Sequence, residues 1–213
     1  MPIADFIPLL QDRLQIPLPG LDAQMIMAPP IRGKTIEVPQ NARQSAVMLL
    51  LYPHQDKWWI PFIRRAADGR VHGGQVSLPG GRKDQTDPDF TYTALRETHE
   101  EIGVPPDQIS VMGELTEIYI PPSNSLVYPR IGLAQSRPDF EPNPSEVQDI
   151  IEVDITQFLD PKLRDIHEVD VFGGNFIQAP GYTVNEQHLI WGGTAMMVAE
   201  FAQLVAELQA HAS

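Results

Sequence analysis

The chain has 213 residues, of which 42% are hydrophobic and 20% charged, enough for a folded domain with a substantial core. Its formal net charge of −13 argues against nucleic acid or an anionic membrane as the main partner. It has no cysteine, which excludes disulfides, thiolate catalysis and cysteine-ligated zinc. No secretory signal and no run of ~20 apolar residues is visible, so a cytoplasmic protein is expected.

The first quarter of the chain predicts one helix and then a pair of strands. Apolar residues at helical spacing predict an amphipathic helix over 3–15. Residues 16–42 are rich in proline and glycine and are expected to wrap the surface without contributing chemistry. The apolar run 45–52 predicts a buried central strand, and 58–63 its partner across a turn at 53–57.

A basic island follows at 61–83, where five cationic residues face one acid, for a local charge of +4. Its charged residues are Arg64, Arg65, Asp68, Arg70, Arg82 and Lys83. Directly before an acidic helix, such an island suits a polyphosphate ligand with a metal beside it. The alternative is a basic loop that only balances neighbouring acids.

The segment 88–102 predicts an α-helix whose ends are marked by the flanking residues. Asp87 suits the N-cap and Pro88 the first helical position, because that position makes no use of a backbone N–H. Gly103 can adopt the left-handed conformation that closes a helix, and prolines at 105–106 prevent its continuation.

Three carboxylates share one face of this helix, since Glu97, Glu100 and Glu101 stand at positions i, i+3 and i+4. Like charges at this spacing repel each other. A hard divalent cation such as Mg²⁺ or Mn²⁺, which prefers oxygen ligands, would offset that repulsion. The alternative is a solvated acidic face paired with Arg96 and nearby bases.

The remainder of the chain predicts further strands and a last helix. Strands are expected within 109–120, 127–134 and 142–155, a hairpin at 167–180 across Gly173 and Gly174, a strand at 182–192 and a helix at 193–209. No repeat, linker or low-complexity tract is visible. A single domain spanning 1–213 is therefore expected, with 1–42 as its N-terminal helix and wrapping segment.

The glycine loop, the helix and the run R-E-x-x-E-E-x-G together resemble the signature of the Nudix hydrolases. That signature reads G-x5-E-x7-R-E-U-x-E-E-x-G-U, where U is apolar. It is matched by Gly81, Arg96, Glu97, Glu100, Glu101, Gly103 and Val104. Asp87 replaces the first glutamate and lies one residue further from Arg96 than the signature has it, and Thr98 replaces an aliphatic residue.

This resemblance implies an α/β/α sandwich, in which a mixed β-sheet lies between helices, and hydrolysis that depends on Mg²⁺ or Mn²⁺. The implied metal ligands are Gly80, Glu97, Glu100 and Glu101. The implied catalytic residues are Glu97, Glu101 and Glu146. Either Glu97 or Glu146 is expected to accept the proton of the attacking water.

A second run resembles the coenzyme A pyrophosphatase branch of the Nudix hydrolases. Its matching residues are Arg65, Arg70, His72, Gly74, Gln75, Pro79, Gly80, Gly81 and Asp84, with Ala66 where serine is expected and Leu78 where phenylalanine is commoner. The implied substrate-binding residues are Arg65, Arg70, His72, Gln75 and, from a later matching segment, Arg130. His72 either donates to a phosphate or only holds its loop.

The branch resemblance implies cleavage of the pyrophosphate bond of coenzyme A and its thioesters, giving adenosine 3′,5′-bisphosphate and 4′-phosphopantetheine. A homodimer is expected from the habit of the family. Three alternatives stay open. They are a Nudix pyrophosphatase for another substrate such as ADP-ribose, a catalytically silent nucleotide-binding module, and an acidic structural domain without a ligand.

Overall fold

A computed structural model describes residues 3–33, 37–66, 73–171 and 174–211. Its helices are α1 (Ile3–Arg13), α2 (Gly20–Gln24), α3 (Phe90–Ile102) and α4 (Gly192–His211). Its strands are β1 (Arg43–His54), β2 (Lys57–Arg65), β3 (Val76–Ser77), β4 (Gly80–Arg82), β5 (Ser110–Glu114), β6 (Ile118–Ile120), β7 (Ser125–Leu133), β8 (Val147–Asp154), β9 (Arg164–Asp170), β10 (Phe176–Val184) and β11 (His188–Trp191). In these ranges no helix is both long and apolar enough to cross a membrane.

The strands form a larger mixed sheet and a smaller antiparallel one. The main path of the larger sheet runs β3-β2-β1-β7-β5, with β4 added to β1, β6 to β7 and β8 to β2. β1 and β7 are parallel, whereas β1 pairs antiparallel with both β2 and β4. The smaller sheet has the order β11-β10-β9.

Alternation along β1 divides the core into two layers, since successive side chains of a strand point to opposite faces. Met48 and Leu50 belong to a buried cluster that includes Ile102 of α3. Leu49 and Leu51 belong to the other cluster, which includes residues of α1 and α4 such as Phe201. Helices therefore cover both faces of the mixed sheet, which confirms the predicted α/β/α sandwich.

The start of α3 differs from the predicted helix over 88–102 with Asp87 as its N-cap. The helix begins at Phe90, and Asp89 is its N-cap, because the Asp89 carboxylate accepts a hydrogen bond from the Tyr92 N–H at 2.7 Å. Asp87 is instead buried at 3% exposure and binds side chains of the helix. The helix end was predicted correctly, since Gly103 has a φ of 76° and closes it.

Two predicted strands are each divided in the structure. The segment 109–120 contains β5 and β6, separated by residues 115–117. The segment 182–192 contains the end of β10 and all of β11, because Asn185 and Glu186 have positive φ and turn the chain. The predicted hairpin of β9 and β10 is present, although Gly173 lies outside the described residues.

Candidate active site

The Gly80–Gly81 pair brings backbone directly beside the acidic helix. In β4, Gly80 pairs with Val47 of β1 at a φ of 151°, and an added Cβ would lie 2.4 Å from the Ala46 carbonyl oxygen. An added Cβ on Gly81 would lie 2.4 Å from Oε2 of Glu97. At Gly80 only glycine allows this approach, because an added Cβ would meet fixed backbone at a positive φ, whereas at Gly81 it would meet the Glu97 side chain.

Glu101 is the buried carboxylate of the site. Its Oε2 accepts a hydrogen bond from the Gly80 N–H at 2.7 Å, and its Oε1 lies 3.2 Å from Nη1 of Arg65. Burial raises the pKa of Glu101 to about 8, against the opposing effects of Arg65 and of the Gly80 N–H. Glu101 therefore ties α3 to β4 and to the end of β2.

Arg96 holds the other two carboxylates of the helix. Its Nη1 lies 2.9 Å from Oε1 of Glu97 and 2.9 Å from Oε2 of Glu100. Its Nη2 lies 2.9 Å from Oδ2 of Asp87, which anchors the guanidinium from the loop before α3. Burial raises the pKa of Glu97, with Arg96 opposing the rise. Arg96 therefore holds Glu97 and Glu100 while Asp87 holds Arg96.

A loop brings Glu146 to the same carboxylates. The Asn143 N–H donates to the Glu101 carbonyl at 3.0 Å, and the Ala66 N–H donates to the Glu146 carbonyl at 2.8 Å, so the loop is fixed to α3 and to β2. The Glu146 carboxylate is near enough to raise the pKa of both Glu97 and Glu101. The loop therefore brings Glu146 into the neighbourhood of Glu97 and Glu101.

A cavity of about 600 Å³ opens beside this cluster, between the sheet and α4. Arg65, Gln75, Gly80 and Gly81 line one end of it. Much of the remaining wall is apolar and includes Val47, Ile120, Val127, Trp191, Met196 and Met197. An apolar cavity with a few polar groups at one end suits a nucleotide or cofactor-sized ligand.

The predicted substrate-binding residues do not all reach this cavity. Arg130 lies on the opposite face of the sheet from Val127, since it is three residues further along β7. Its guanidinium contacts Thr91 of α3 at 3.2 Å and pairs with Glu114 at 2.5 Å. We therefore leave Arg130 out of the proposed site. Arg70 and His72 lie outside the described residues.

Arg32 lines the cavity although the sequence assigned no chemistry to its segment. Its Nη1 donates a hydrogen bond to the Tyr119 carbonyl at 2.6 Å. An isolated arginine in a proline-rich stretch carries no periodic or motif signal. Only the folded chain brings it to the cavity wall.

The carboxylates suit a divalent cation by their chemistry, because hard cations prefer oxygen donors. Because Gly81 has no Cβ, the Glu97 carboxylate lies directly against the backbone of β4. Within the described ranges, no three His, Cys, Asp or Glu side chains already form a group that could hold a metal ion. Glu97 and Glu100 are bound to Arg96 instead. The carboxylate oxygens therefore suit a divalent cation, and Arg96 is paired with two of these carboxylates, Glu97 and Glu100.

Comparison with known proteins identifies relatives over most of the chain. The family model described as NUDIX domain matches residues 42–170. The protein "Uncharacterized Nudix hydrolase NudL" from Photorhabdus laumondii is 34% identical over 207 residues, which cover 95% of this chain and 97% of that protein. A second NudL, from Pectobacterium atrosepticum, is 31% identical over 78% of this chain and 84% of its own length.

Solved structures share the fold at low identity. The NUDIX domain of Shewanella oneidensis NrtR, solved with ADP-ribose, has a TM-score of 0.50 at 13% identity and covers 80% of this chain and 90% of its own. A MutT protein from Methanosarcina mazei has a TM-score of 0.50 at 15% identity, over 82% and 99% of the two chains. At this identity the likeness concerns the fold alone.

Proposed function

The chain belongs to the Nudix hydrolases and is a pyrophosphohydrolase, and from this premise we propose that its substrates are coenzyme A and its thioesters. The reaction splits the substrate into adenosine 3′,5′-bisphosphate and 4′-phosphopantetheine or its acyl form. The observation that carries the proposal is the position of Arg65 and Gln75 at the carboxylate end of the cavity. Both belong to the run that resembles the coenzyme A branch.

Arg65 is suited to bind the pyrophosphate beside the carboxylates. A guanidinium presents a planar fork that binds phosphate oxygens at two points. Arg65 is 30% exposed at its side chain, so it pairs with Glu101 while part of it stays accessible to a ligand. Gln75 lies beside Arg65, since the Arg65 backbone N–H donates to the Gln75 carbonyl at 3.0 Å. The side-chain amide of Gln75 is a neutral donor. Arg70 and His72 belong to the same proposal through the sequence alone.

We assign Glu97, Glu100 and Glu101, with the Gly80 carbonyl, to the divalent cation, which is Mg²⁺ or Mn²⁺ in this proposal. When bound, such a cation neutralises charge on the pyrophosphate and lowers the pKa of water. Arg96 would release Glu97 and Glu100 and stay anchored by Asp87. Glu101 keeps β4 in place through the Gly80 N–H.

The chemical step is the attack of water on one phosphorus of the pyrophosphate. A phosphorus–oxygen bond to the water oxygen forms, and the bond to the bridging oxygen breaks. A carboxylate accepts the proton that water loses, and Glu97 and Glu146 are the two candidates. Glu146 is the candidate we favour, because Glu97 is assigned to the cation in this proposal, while no described side chain donates to the Glu146 carboxylate.

Product analysis tests the proposal. The protein is incubated with Mg²⁺ or Mn²⁺ and either coenzyme A or ADP-ribose, and the products are separated by chromatography. We expect adenosine 3′,5′-bisphosphate and 4′-phosphopantetheine from coenzyme A. Glu101→Gln should lower kcat by a hundredfold or more, and Glu146→Gln should lower kcat with little change in KM. Glu186→Gln, in the exposed turn before β11, is the matched control.

Cleavage of ADP-ribose without cleavage of coenzyme A would keep the Nudix chemistry and reject the substrate assignment. The expected homodimer and cytoplasmic location remain predictions. Light scattering after gel filtration tests the first of them, and cell fractionation tests the second.

A further inference from the structure

Arg32 enters the cavity wall from the segment between α2 and β1. Its guanidinium is fixed by one hydrogen bond, from Nη1 to the Tyr119 carbonyl at 2.6 Å. Its Nε is buried and has no hydrogen-bond partner. Buried polar groups of proteins are nearly always hydrogen-bonded, so an unsatisfied arginine nitrogen beside a cavity requires an explanation.

The charge of Arg32 is also unbalanced. Two arginines stand among the described residues that line the cavity, and no acidic residue is among them. Arg65 is paired with Glu101 at 3.2 Å, whereas no described carboxylate lies within ion-pair distance of Arg32. Burial lowers the pKa of Arg32, which still remains charged at neutral pH. Arg32 is half-buried, and a partly desolvated cation without a counter-charge favours the binding of an anion.

The position of Arg32 separates it from the carboxylate end of the cavity. Tyr119 lies on β6, which pairs with β7, which pairs with β1, which pairs with β4 at Gly80. Three strand spacings therefore separate Gly80 from Tyr119, or about 14 Å. Arg32 is too far from Gly80 to bind the same phosphate as Arg65. It is well placed for a second anion on an extended ligand.

The N-terminal turn of α4 lies beside this wall. Gly193 lines the cavity, and an added Cβ there would be 2.5 Å from Cδ1 of Ile120, the residue next to Tyr119. A helix N-terminus carries partial positive charge and favours anions. The surroundings of Arg32 therefore add to its preference for a negatively charged group.

We propose that Arg32 binds a phosphomonoester on the nucleoside part of the substrate. The 3′-phosphate of coenzyme A is such a group. The contact would make Arg32 the residue that separates 3′-phosphorylated nucleotides from those without this group. The identity of the substrate in this inference rests on the proposed function. The presence of an anion site at Arg32 does not.

Kinetics with a matched pair of substrates test the proposal. Coenzyme A and dephospho-coenzyme A differ only in the 3′-phosphate. Arg32→Gln should raise KM for coenzyme A tenfold or more, with kcat within about threefold, because a charge-assisted bond to phosphate is lost. KM for dephospho-coenzyme A should change less than twofold. Arg32→Lys should recover part of the loss, and Arg164→Gln, an exposed arginine of β9, should match the wild type.

An equal change in KM for both substrates, or no change for either, would overturn the proposal. If the wild type hydrolyses neither substrate, the proposed function fails and binding decides the inference. In that case calorimetry compares adenosine 3′,5′-bisphosphate with AMP in metal-free buffer. The anion site is supported if Arg32→Gln binds adenosine 3′,5′-bisphosphate tenfold more weakly than the wild type does and binds AMP equally well. Equal binding of the bisphosphate by variant and wild type, or none by the wild type, rejects it.

Discussion

At the scale of residues, the absence of a Cβ at Gly81 lets the backbone lie against the carboxylate of Glu97. The two glycines of β4 serve different purposes. Gly80 has a φ of 151° and faces the backbone of β1, whereas Gly81 faces only the end of a flexible side chain. A methyl group at Gly80 therefore meets fixed atoms, while one at Gly81 meets atoms that can move.

Gly81→Ala should lower kcat about a hundredfold while leaving the protein folded. The new methyl group displaces Glu97, since it would lie 2.4 Å from Oε2, and a carboxylate shifted by about 1 Å loses its catalytic position. Steady-state kinetics with coenzyme A and Mg²⁺, together with the thermal unfolding midpoint, measure both effects.

Gly80→Ala is the contrasting variant for this experiment. It should lower the thermal midpoint strongly, because its methyl group would lie 2.4 Å from the Ala46 carbonyl oxygen at a φ that L-residues avoid. Equal activity of Gly81→Ala and the wild type would show that Glu97 does not need its observed position.

At the scale of elements, the loop before α3 is joined to the helix through Asp87. Its carboxylate accepts hydrogen bonds from Arg96, from the Thr93 hydroxyl at 2.9 Å and from the Asp84 N–H at 2.9 Å. The Arg96 guanidinium is the main reason that the pKa of Asp87 is lowered to about 2. Asp87 thereby positions the arginine that holds the carboxylates of the site.

Asp87→Asn should reduce the free energy of unfolding by roughly 2 kcal/mol near neutral pH, the scale of buried hydrogen bonds to charged groups. Because the pKa of Asp87 is lower in the folded state, its contribution is complete above its unfolded pKa of about 4. The contribution is lost as the pH falls toward 2. The difference between variant and wild type should therefore shrink between pH 4 and 2, as measured by urea denaturation.

Asp89→Asn is the matched control, since asparagine is as good an N-cap as aspartate. It should change stability by less than ~0.5 kcal/mol over the same pH range. A difference for Asp87→Asn that stays constant down to pH 2 would contradict the role given to its charge.

At the scale of the whole molecule, Glu200 joins three distant parts of the chain. It lies on α4 with 0% exposure. Its carboxylate accepts hydrogen bonds from the Gly20 N–H at 3.1 Å, from Nε2 of Gln24 at 2.9 Å and from the Thr116 hydroxyl at 2.7 Å. It therefore fixes α4, which covers the cavity, to α2 and to the loop between β5 and β6.

Glu200→Gln should lower the free energy of unfolding by roughly 2–3 kcal/mol, because an amide replaces one acceptor oxygen with a donor among buried donors. Chemical denaturation measures the effect. Glu207→Gln on the same helix, which loses a partly exposed pair with Arg13, should cost less than about 1 kcal/mol. Equal stability of the two variants would rule out the joining role of Glu200.

The sequence by itself determined the α/β class, the central strands, the acidic helix and the family. These properties depend on local periodicity and on residues close together in the chain, such as Arg96 through Glu101. The helix start was misplaced by two residues because Asp87 and Asp89 are both good caps, and burial of Asp87 against Arg96 decides between them. A local pattern contains no information on that burial.

Only the tertiary structure decided which distant residues share the site. Sheet pairing brings Glu146 to Glu101, and it places Arg130 on the face opposite the cavity. The same packing brings Arg32 to a cavity wall formed by strands far along the chain. The physical reason is that strand pairing and helix packing join segments far apart in the chain, and local periodicity does not specify those partners.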